Sequence, residues 1–471
     1  MTGLREVLAA LLVLGYLVLC AAVLWRQRRR LQAQRQEAAA LATSTQGGAP
    51  LWVLYASMTG QAEALARQAA QTLHGAGHAV HLAALGEVDE QALQQMRQVL
   101  IVAATAGQGD APDNASAFVR RCMGASAARA LPQLRYGLLA LGDRSYPRFC
   151  GFGRALDAWL QRQGAQPLFD TLEVDRGDSQ ALSAWHQQLS QQFGTPAWPG
   201  PEDLVLEAPF EPWQLVAQRR LNPEAKAEGL FHVELKPLAQ NAWPQWQAGD
   251  LVQVLPGCGQ TADAALRPRE YTVASLPAEG RLQLLVRQTR RPDGSLGLVS
   301  GQLTDAAQCA APVLLRLRPH ANFRIGANAQ RPLILIGNGS GLAGLLAHLK
   351  ARAAQVEQGQ KPAPAWLLYG EREAAHDSHY LSQLTQWQQQ GWLQHVQRVF
   401  SRDGAALRHV QEALALAQQR LRDWVAEGAA LYVCGSVHGM AAGVDAVLRE
   451  ALGAARVDEL IEQGRYRRDV Y

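Results

Sequence analysis

The sequence predicts an α/β multidomain protein: a doubly wound parallel sheet, then an antiparallel β-barrel, then a second α/β domain, with one transmembrane helix ahead of them all. Three observations carry this. The runs Leu51 to Tyr55, Val99 to Ala103 and Gly137 to Leu141 alternate with amphipathic helical stretches up to Phe193, the pattern of βα units in a parallel sheet. Between Trp213 and about residue 318 the short runs FHVELKP, DLVQVLP, EYTVAS, LQLLVRQ and PVLLRLRP are separated by turn residues, as in an antiparallel barrel. The βα alternation then returns at Leu333 to Ile336, Trp366 to Tyr369, His395 to Phe400 and Leu431 to Cys434.

The expected boundaries are a transmembrane helix at 7–25, a basic stalk at 26–50, the first α/β domain at 51–193, a linker at 194–212, the barrel at 213–328 and the last domain at 329–471. The linker is placed by the Pro- and Gly-rich segment GTPAWPGPEDLVLEAPFEP. A length of 471 residues suits two to four domains. With 48% hydrophobic and 18% charged residues, neither a disordered chain nor a multi-span membrane protein fits. The net charge of +4 is accounted for by Arg5, Arg26, Arg28, Arg29, Arg30 and Arg35 against Glu6 and Glu37. The remainder is neutral overall and has no basic stripe, which argues against nucleic acid as a partner. Six scattered cysteines form no CxxC pair, so neither a metal site nor a disulfide framework is expected.

Val7 to Trp25 is uncharged and rich in Leu and Val, with the arginines after it. That length and charge order predict a single-pass inner-membrane anchor with the catalytic domains in the cytoplasm. A cleaved signal peptide is the competing reading, although its charge belongs before the apolar run.

In LWVLYASMTGQAEALA a strand leads through Ser57, Thr59, Gly60 and Gln61 into a helix. Hydroxyls and free N–H groups at a helix start suit a phosphate; an ordinary N-capped helix is the alternative. Two more strand ends, ATAGQGD and LGDRSYPRFC, lie where open α/β sheets bind ligands. Together these three loops resemble those of the flavodoxin-like FMN domain of the diflavin reductases. The resemblance implies that Ser57, Met58, Thr59, Gly60, Gln61 and Ala62 hold the FMN phosphate. Thr105, Ala106, Gly107, Gln108, Gly109 and Asp110, then Leu141, Gly142, Asp143, Ser145, Tyr146 and Phe149, would line the ring, with Tyr146 stacked on it and Asp175 nearby. The family's aromatic residue in the second loop is replaced here by Ala106.

The second half resembles the ferredoxin-NADP reductase module of the same family. Arg269, Tyr271, Thr272 and Ser275 (REYTVAS) correspond to its FAD motif, and Gly297, Leu298, Val299 and Ser300 to its diphosphate loop. Gly337, Asn338, Gly339, Ser340 and Gly341 follow a buried strand, where a Gly-rich turn cradles a pyrophosphate. Tyr369, Arg372, Ser401, Arg402, Arg408 and Gln411 follow at the next strand ends. Guanidinium groups there suit the 2′-phosphate of NADPH, while the family's usual Lys and Tyr read Leu407 and His409. The resemblance places Cys434 beside the nicotinamide, Asp469 as the nearby acid and the terminal Tyr471 over the FAD ring. Thr272, Cys434, Asp469 and Tyr471 are the expected catalytic set. No helical connecting domain interrupts the barrel, so the chain resembles the short, membrane-anchored sulfite reductase flavoprotein-like form. The implied path runs from NADPH through FAD and FMN to a one-electron acceptor: a haem protein, a sulfite reductase haemoprotein or a ferric chelate of an iron-uptake system. An FAD-only NADPH reductase with a degenerate FMN domain and a non-catalytic membrane-tethered docking module are the rival readings.

Overall fold

A computed structural model describes residues 50–471 apart from 59, 107–108, 125–129, 145–147, 197–207, 224–227, 240–242, 259–267 and 306–311. Its contacts form two compact units. The first contains β1–β6 and their helices; the second contains everything described from residue 208 onward, together with the short segments Ser57–Gln61 and Ala106–Ala117.

In the first unit β1 (Leu51–Ala56), β2 (Val80–Ala84), β3 (Gln98–Ala104), β4 (Arg135–Gly142), β5 (Gln166–Pro167) and β6 (Leu172–Asp175) form one parallel sheet in the order β2-β1-β3-β4-β5, with β6 also paired to β4. Val99 to Ala103 in β3 are all buried, as expected of a parallel strand covered on both faces. The helix Gln61–Gly75 buries Ala62, Leu65, Ala66, Ala69, Ala70 and Leu73, a stripe at helical spacing that faces the core. Ser179–Phe193 begins where the Asp178 side chain accepts from the Gln180 N–H and ends at Gly194 with φ 64°, a side-chain cap and a left-handed stop.

The second unit opens with a six-stranded antiparallel layer. Its strands are β7 (Glu211–Arg220), β8 (Leu230–Pro237), β9 (Leu251–Cys258), β10 (Arg269–Thr272), β11 (Leu282–Arg287) and β12 (Val313–Arg318), ordered β10-β9-β12-β7-β8-β11. The two ends of this path meet through a Val273–Leu284 bridge and an Ala274 N–H to Gln283 O bond of 2.8 Å, so the layer closes into a barrel. Trp213, Leu215, Val233, Leu235, Val252, Val254, Leu282 and Leu284 fill it. Sequence alone places the first two residues of β7 in the linker.

Next come β13 (Leu333–Asn338), β14 (Ala365–Glu371), β15 (Leu393–Phe400), β16 (Ala430–Gly435) and β17 (Tyr466–Val470), a parallel sheet in the order β15-β14-β13-β16-β17. Apolar clusters cover both of its faces.

The inner-membrane localisation read from Val7 to Trp25 requires correction. Among the described residues no helix is long and apolar enough to cross a membrane. The longest, Leu342–Glu357, has 16 residues, short of the about 20 that a span needs. Val7 to Trp25 lies outside the described residues.

Asp250 ties the start of β9 to the segment after β12. Its buried carboxylate accepts from the N–H groups of Gln247 (2.8 Å) and His320 (2.9 Å), and from Arg324 Nε (2.6 Å) and Nη2 (2.7 Å). Removing one partner of such a pair leaves the other charge uncompensated. Asp250→Ala is expected to cost about 3 kcal/mol, read as a lower urea midpoint for the barrel's tryptophan fluorescence; a loss under about 0.5 kcal/mol, the range of ordinary surface changes, contradicts this.

Candidate functional site: a glycine-rich strand end and its buried acid

The chain runs β13-β14-β15 to one side of the last sheet and returns as β16 on the other, so the carboxyl ends of β13 and β16 form a switch point. Four glycines let the backbone close up there. A Cβ on Gly337 would stand 2.5 Å from the Cys434 carbonyl oxygen, and one on Gly341 would overlap the same carbonyl. At Gly344 a Cβ would meet Thr272 Cγ2 at 3.0 Å and Cys434 Sγ at 3.4 Å. Gly435, at φ 132°, packs against Asn338, whose Oδ1 accepts from the Ser436 N–H at 2.9 Å.

Above this point lies a cleft of about 550 Å3 whose walls include Asn338, Gly339, Ser340, Arg372, Ser401, Arg408, Gln411 and Tyr471. Arg287, from barrel strand β11, enters it and pairs with Glu371 at 3.1 Å. The Tyr369 hydroxyl stands 2.9 Å from Glu371 Oε1 and 3.1 Å from the Gly339 carbonyl. Tyr369 is therefore a buried support behind the loop rather than part of the wall. Burial raises the Glu371 carboxyl above its usual range, against the pull of Arg287. Ser401 donates its N–H to Glu371 O at 2.9 Å, which fixes the β15 end beside β14. Arg402 is exposed, stands 3.8 Å from Glu373 and is not among the residues of the cleft.

Where the barrel meets the sheet, the Thr272 hydroxyl donates to Asp469 Oδ2 at 2.7 Å, and the Cys434 thiol reaches the same oxygen at 3.6 Å. Thr272 and Cys434 are buried and Asp469 nearly so. Burial first, and the Asp469 carboxylate second, push the Cys434 thiol well above its ordinary value, so it serves as a donor and not as a thiolate. Tyr471 follows β17, bonds Gly435 O through its N–H at 3.0 Å, and sets its hydroxyl 3.0 Å from Ser340 Oγ. On β10, Tyr271 is half-buried and Arg269 exposed. Ser275 is buried, its hydroxyl accepting from the Gln283 N–H at 3.0 Å. Gly297 precedes the short helix Leu298–Thr304; a Cβ there would overlap Thr289 Oγ1 and stand 2.7 Å from Ser300 Oγ. Leu298 is exposed, whereas Val299 and Ser300 are buried.

Ser57 receives the Gly60 N–H on its hydroxyl at 2.9 Å and gives its own N–H to Asn114 Oδ1 at 2.9 Å. Met58 is half-buried; Gln61 and Ala62 open the helix Gln61–Gly75. Thr105 donates its N–H to Leu141 O at 3.0 Å, and its buried hydroxyl has no partner among the described residues. Ala106 and Asp110 exchange backbone bonds of 2.9 Å around Gly109, at φ 112°. After β4, Gly142 precedes Asp143, which pairs with Arg176, and Asp175 Oδ1 accepts from the Arg144 N–H at 3.1 Å. Phe149 lies between the guanidiniums of Arg144 and Arg154, 5.0 and 5.6 Å from its ring centre. Thr59, Gly107, Gln108, Ser145 and Tyr146 lie outside the described residues.

Residues 53–185 match the Flavodoxin family and residues 335–446 the Oxidoreductase NAD-binding domain family. The sulfite reductase [NADPH] flavoprotein alpha-component of Neisseria meningitidis serogroup C is 26% identical over 89% of each chain. That of Shewanella oneidensis is 25% identical over 92% of each. The two domain matches and these relatives together support a place in the diflavin reductase family.

The cofactors of a diflavin reductase are FAD, FMN and NADPH, and the side chains present fit them. A buried Arg287 Nη1 without a partner in the cleft suits a nucleotide phosphate. The partnerless Thr105 hydroxyl suits a flavin edge. At Gly297 only hydrogen fits beside the Thr289 and Ser300 hydroxyls, which sets the turn closely against the segment after β11 at the start of the Leu298–Thr304 helix, where a diphosphate would be held. Sequence reasoning missed Arg287 and Glu371. Arg287 ends an ordinary barrel strand, and no local motif marks it; Glu371 lies inside YGER but reads as a surface acid until the fold buries it.

The Gly341 contact is with backbone, which cannot yield as a side chain would. Gly341→Ala is expected to abolish retention on immobilised 2′,5′-ADP while leaving bound FMN in place; retention equal to wild type would show that the close approach is not required.

Proposed function

We propose that the protein is an NADPH-dependent diflavin oxidoreductase that moves electrons from NADPH through FAD and FMN to a one-electron acceptor. The observation that carries this is the convergence of Thr272, Cys434 and Asp469 at the ends of β16 and β17, two residues before Tyr471, which lines the cleft. When bound, the two flavins take up a hydride equivalent and release it one electron at a time. What the protein supplies is orientation and electrostatics. Gly339 and Ser340 receive the pyrophosphate with Arg287 beside them. Ser401 and Arg408 would meet the 2′-phosphate, Arg408 as the cation, while Arg402 does not line the cleft. Arg269, Tyr271, Ser275 and the Gly297–Ser300 turn hold FAD. The Asp469 carboxylate would lie beside the nicotinamide and stabilise the positive charge that hydride loss creates, and the Thr272 hydroxyl and Cys434 thiol hold that carboxylate in place. Tyr471 occupies the face that the nicotinamide needs, and the 3.0 Å bond to Ser340 Oγ keeps it there until the nucleotide enters.

FMN would sit against the Ser57–Ala62, Thr105–Asp110 and Leu141–Phe149 loops. Among acceptors, the haemoprotein of a sulfite reductase is the reading that the relatives' names support. The FAD-only reading keeps one specific observation in its favour: Ala106 offers no ring face where the family has an aromatic residue.

Purified protein is expected to carry one FAD and one FMN per chain, released by heat and separated by chromatography, with both bleached anaerobically by NADPH. FAD without FMN would replace this reading with the FAD-only one. Tyr471→Ala is expected to raise kcat/KM for NADH relative to NADPH by roughly tenfold or more, because removing the blocking ring lowers the cost of seating any nicotinamide. An unchanged ratio would remove Tyr471 from the gate.

A further inference from the structure

His320 lies two residues beyond β12, inside the second unit, and it is 2% exposed. Its backbone N–H is fixed on the Asp250 carboxylate at 2.9 Å, and its ring lies 6.0 Å from Phe323 with 24° between the planes. Among the described residues neither ring nitrogen has a hydrogen-bond partner. Buried polar groups are seldom left so. Nδ1 stands 4.0 Å from Asp469 Oδ1, the carboxylate oxygen that Thr272 and Cys434 do not use.

Burial holds the imidazole below its usual titration range, against the pull of Asp469, so the ring is neutral and carries one proton. If that proton sat on Nε2, a buried N–H would go unpaired and a bare lone pair would face the carboxylate. On Nδ1 it points a donor at Asp469. Both halves of Asp469 are then held: Oδ2 by the barrel's Thr272 and by Cys434, Oδ1 by His320. We propose that His320 is a positioning residue of the hydride-transfer site, its Nδ1–H donating to Asp469 Oδ1 across a gap that narrows when cofactor and nucleotide are bound. This rests on the reading of Asp469 as the acid beside the nicotinamide. Nothing in the sequence marks His320, because its role depends on β12 and β17, about 150 residues apart, meeting at one carboxylate.

Three substitutions separate donation from packing. Asn places an amide N–H near the position of Nδ1, Gln places one near Nε2, and Leu fills the space with no donor. All are made in the full chain with its flavins and followed by anaerobic stopped-flow reduction by NADPH. His320→Leu and His320→Gln are expected to slow flavin reduction by roughly tenfold, the loss of one hydrogen bond to a charged group, with the dissociation constant for NADPH unchanged. His320→Asn restores the rate to within about twofold, less than such a bond contributes. Independently of activity, 15N spectra of histidine-labelled wild-type protein should contain a neutral ring protonated at Nδ1 that disappears in His320→Asn. An Nε2-protonated or cationic His320 overturns the proposal, as does equal slowing by Asn and Leu. Asp469→Asn separates the two levels of the argument. If it slows reduction while His320→Leu does not, the role of His320 fails. If Asp469→Asn leaves reduction unchanged, the reading of Asp469 fails and the proposal goes with it.

Discussion

The second unit depends on one close approach: the segment Gly337–Gly344 lies directly against the Cys434 carbonyl and Gly435. A helix seated that near a strand end brings Cys434 Sγ within reach of Thr272 from another layer, because Gly344 puts no side chain between them. The same approach turns Asn338 onto the Ser436 N–H and leaves the Gly339–Ser340 backbone free to face a ligand. Backbone contacts of this kind are fixed by sterics, whereas side chains at the cleft mouth are free to vary.

Two buried acids give the site its charge, and each is managed differently. Glu371 is answered by a cation, Arg287, and by a hydroxyl, Tyr369. Asp469 has neutral donors on Oδ2 and keeps more of its charge uncompensated. An acid neutralised by a guanidinium stabilises a loop. One held by hydroxyl and thiol groups retains a field that a cationic ring can feel.

Much of the fold is legible in the sequence because parallel strands covered on both faces must be continuous apolar runs; LILIG, AWLLYG and ALYVCG are buried throughout. The barrel strands are legible from their turns. By contrast β17 reads YRRDV, and a charged five-residue stretch predicts no strand. It forms one because β16 offers a free edge and its arginines find partners elsewhere, Arg467 on the carbonyls of Ala321 (2.9 Å) and Arg324 (2.8 Å). Among the proposed site residues, those that follow a strand end are legible, since chain order places them. Arg287, Glu371 and His320 are not, because each matters through a partner distant in sequence. The membrane reading rested on one apolar run, and none of the described helices carries it further.

The composition of β17 has a further effect. It is the last strand of a parallel sheet, and an exposed strand edge is a template for pairing with another molecule. Its two adjacent arginines are engaged within the protein instead, Arg467 on the carbonyls of Ala321 and Arg324 and Arg468 with Asp113. A change that made β17 more apolar would improve its local strand preference and, at the same time, remove the bonds that tie the strand carrying Asp469 to the segment after β12.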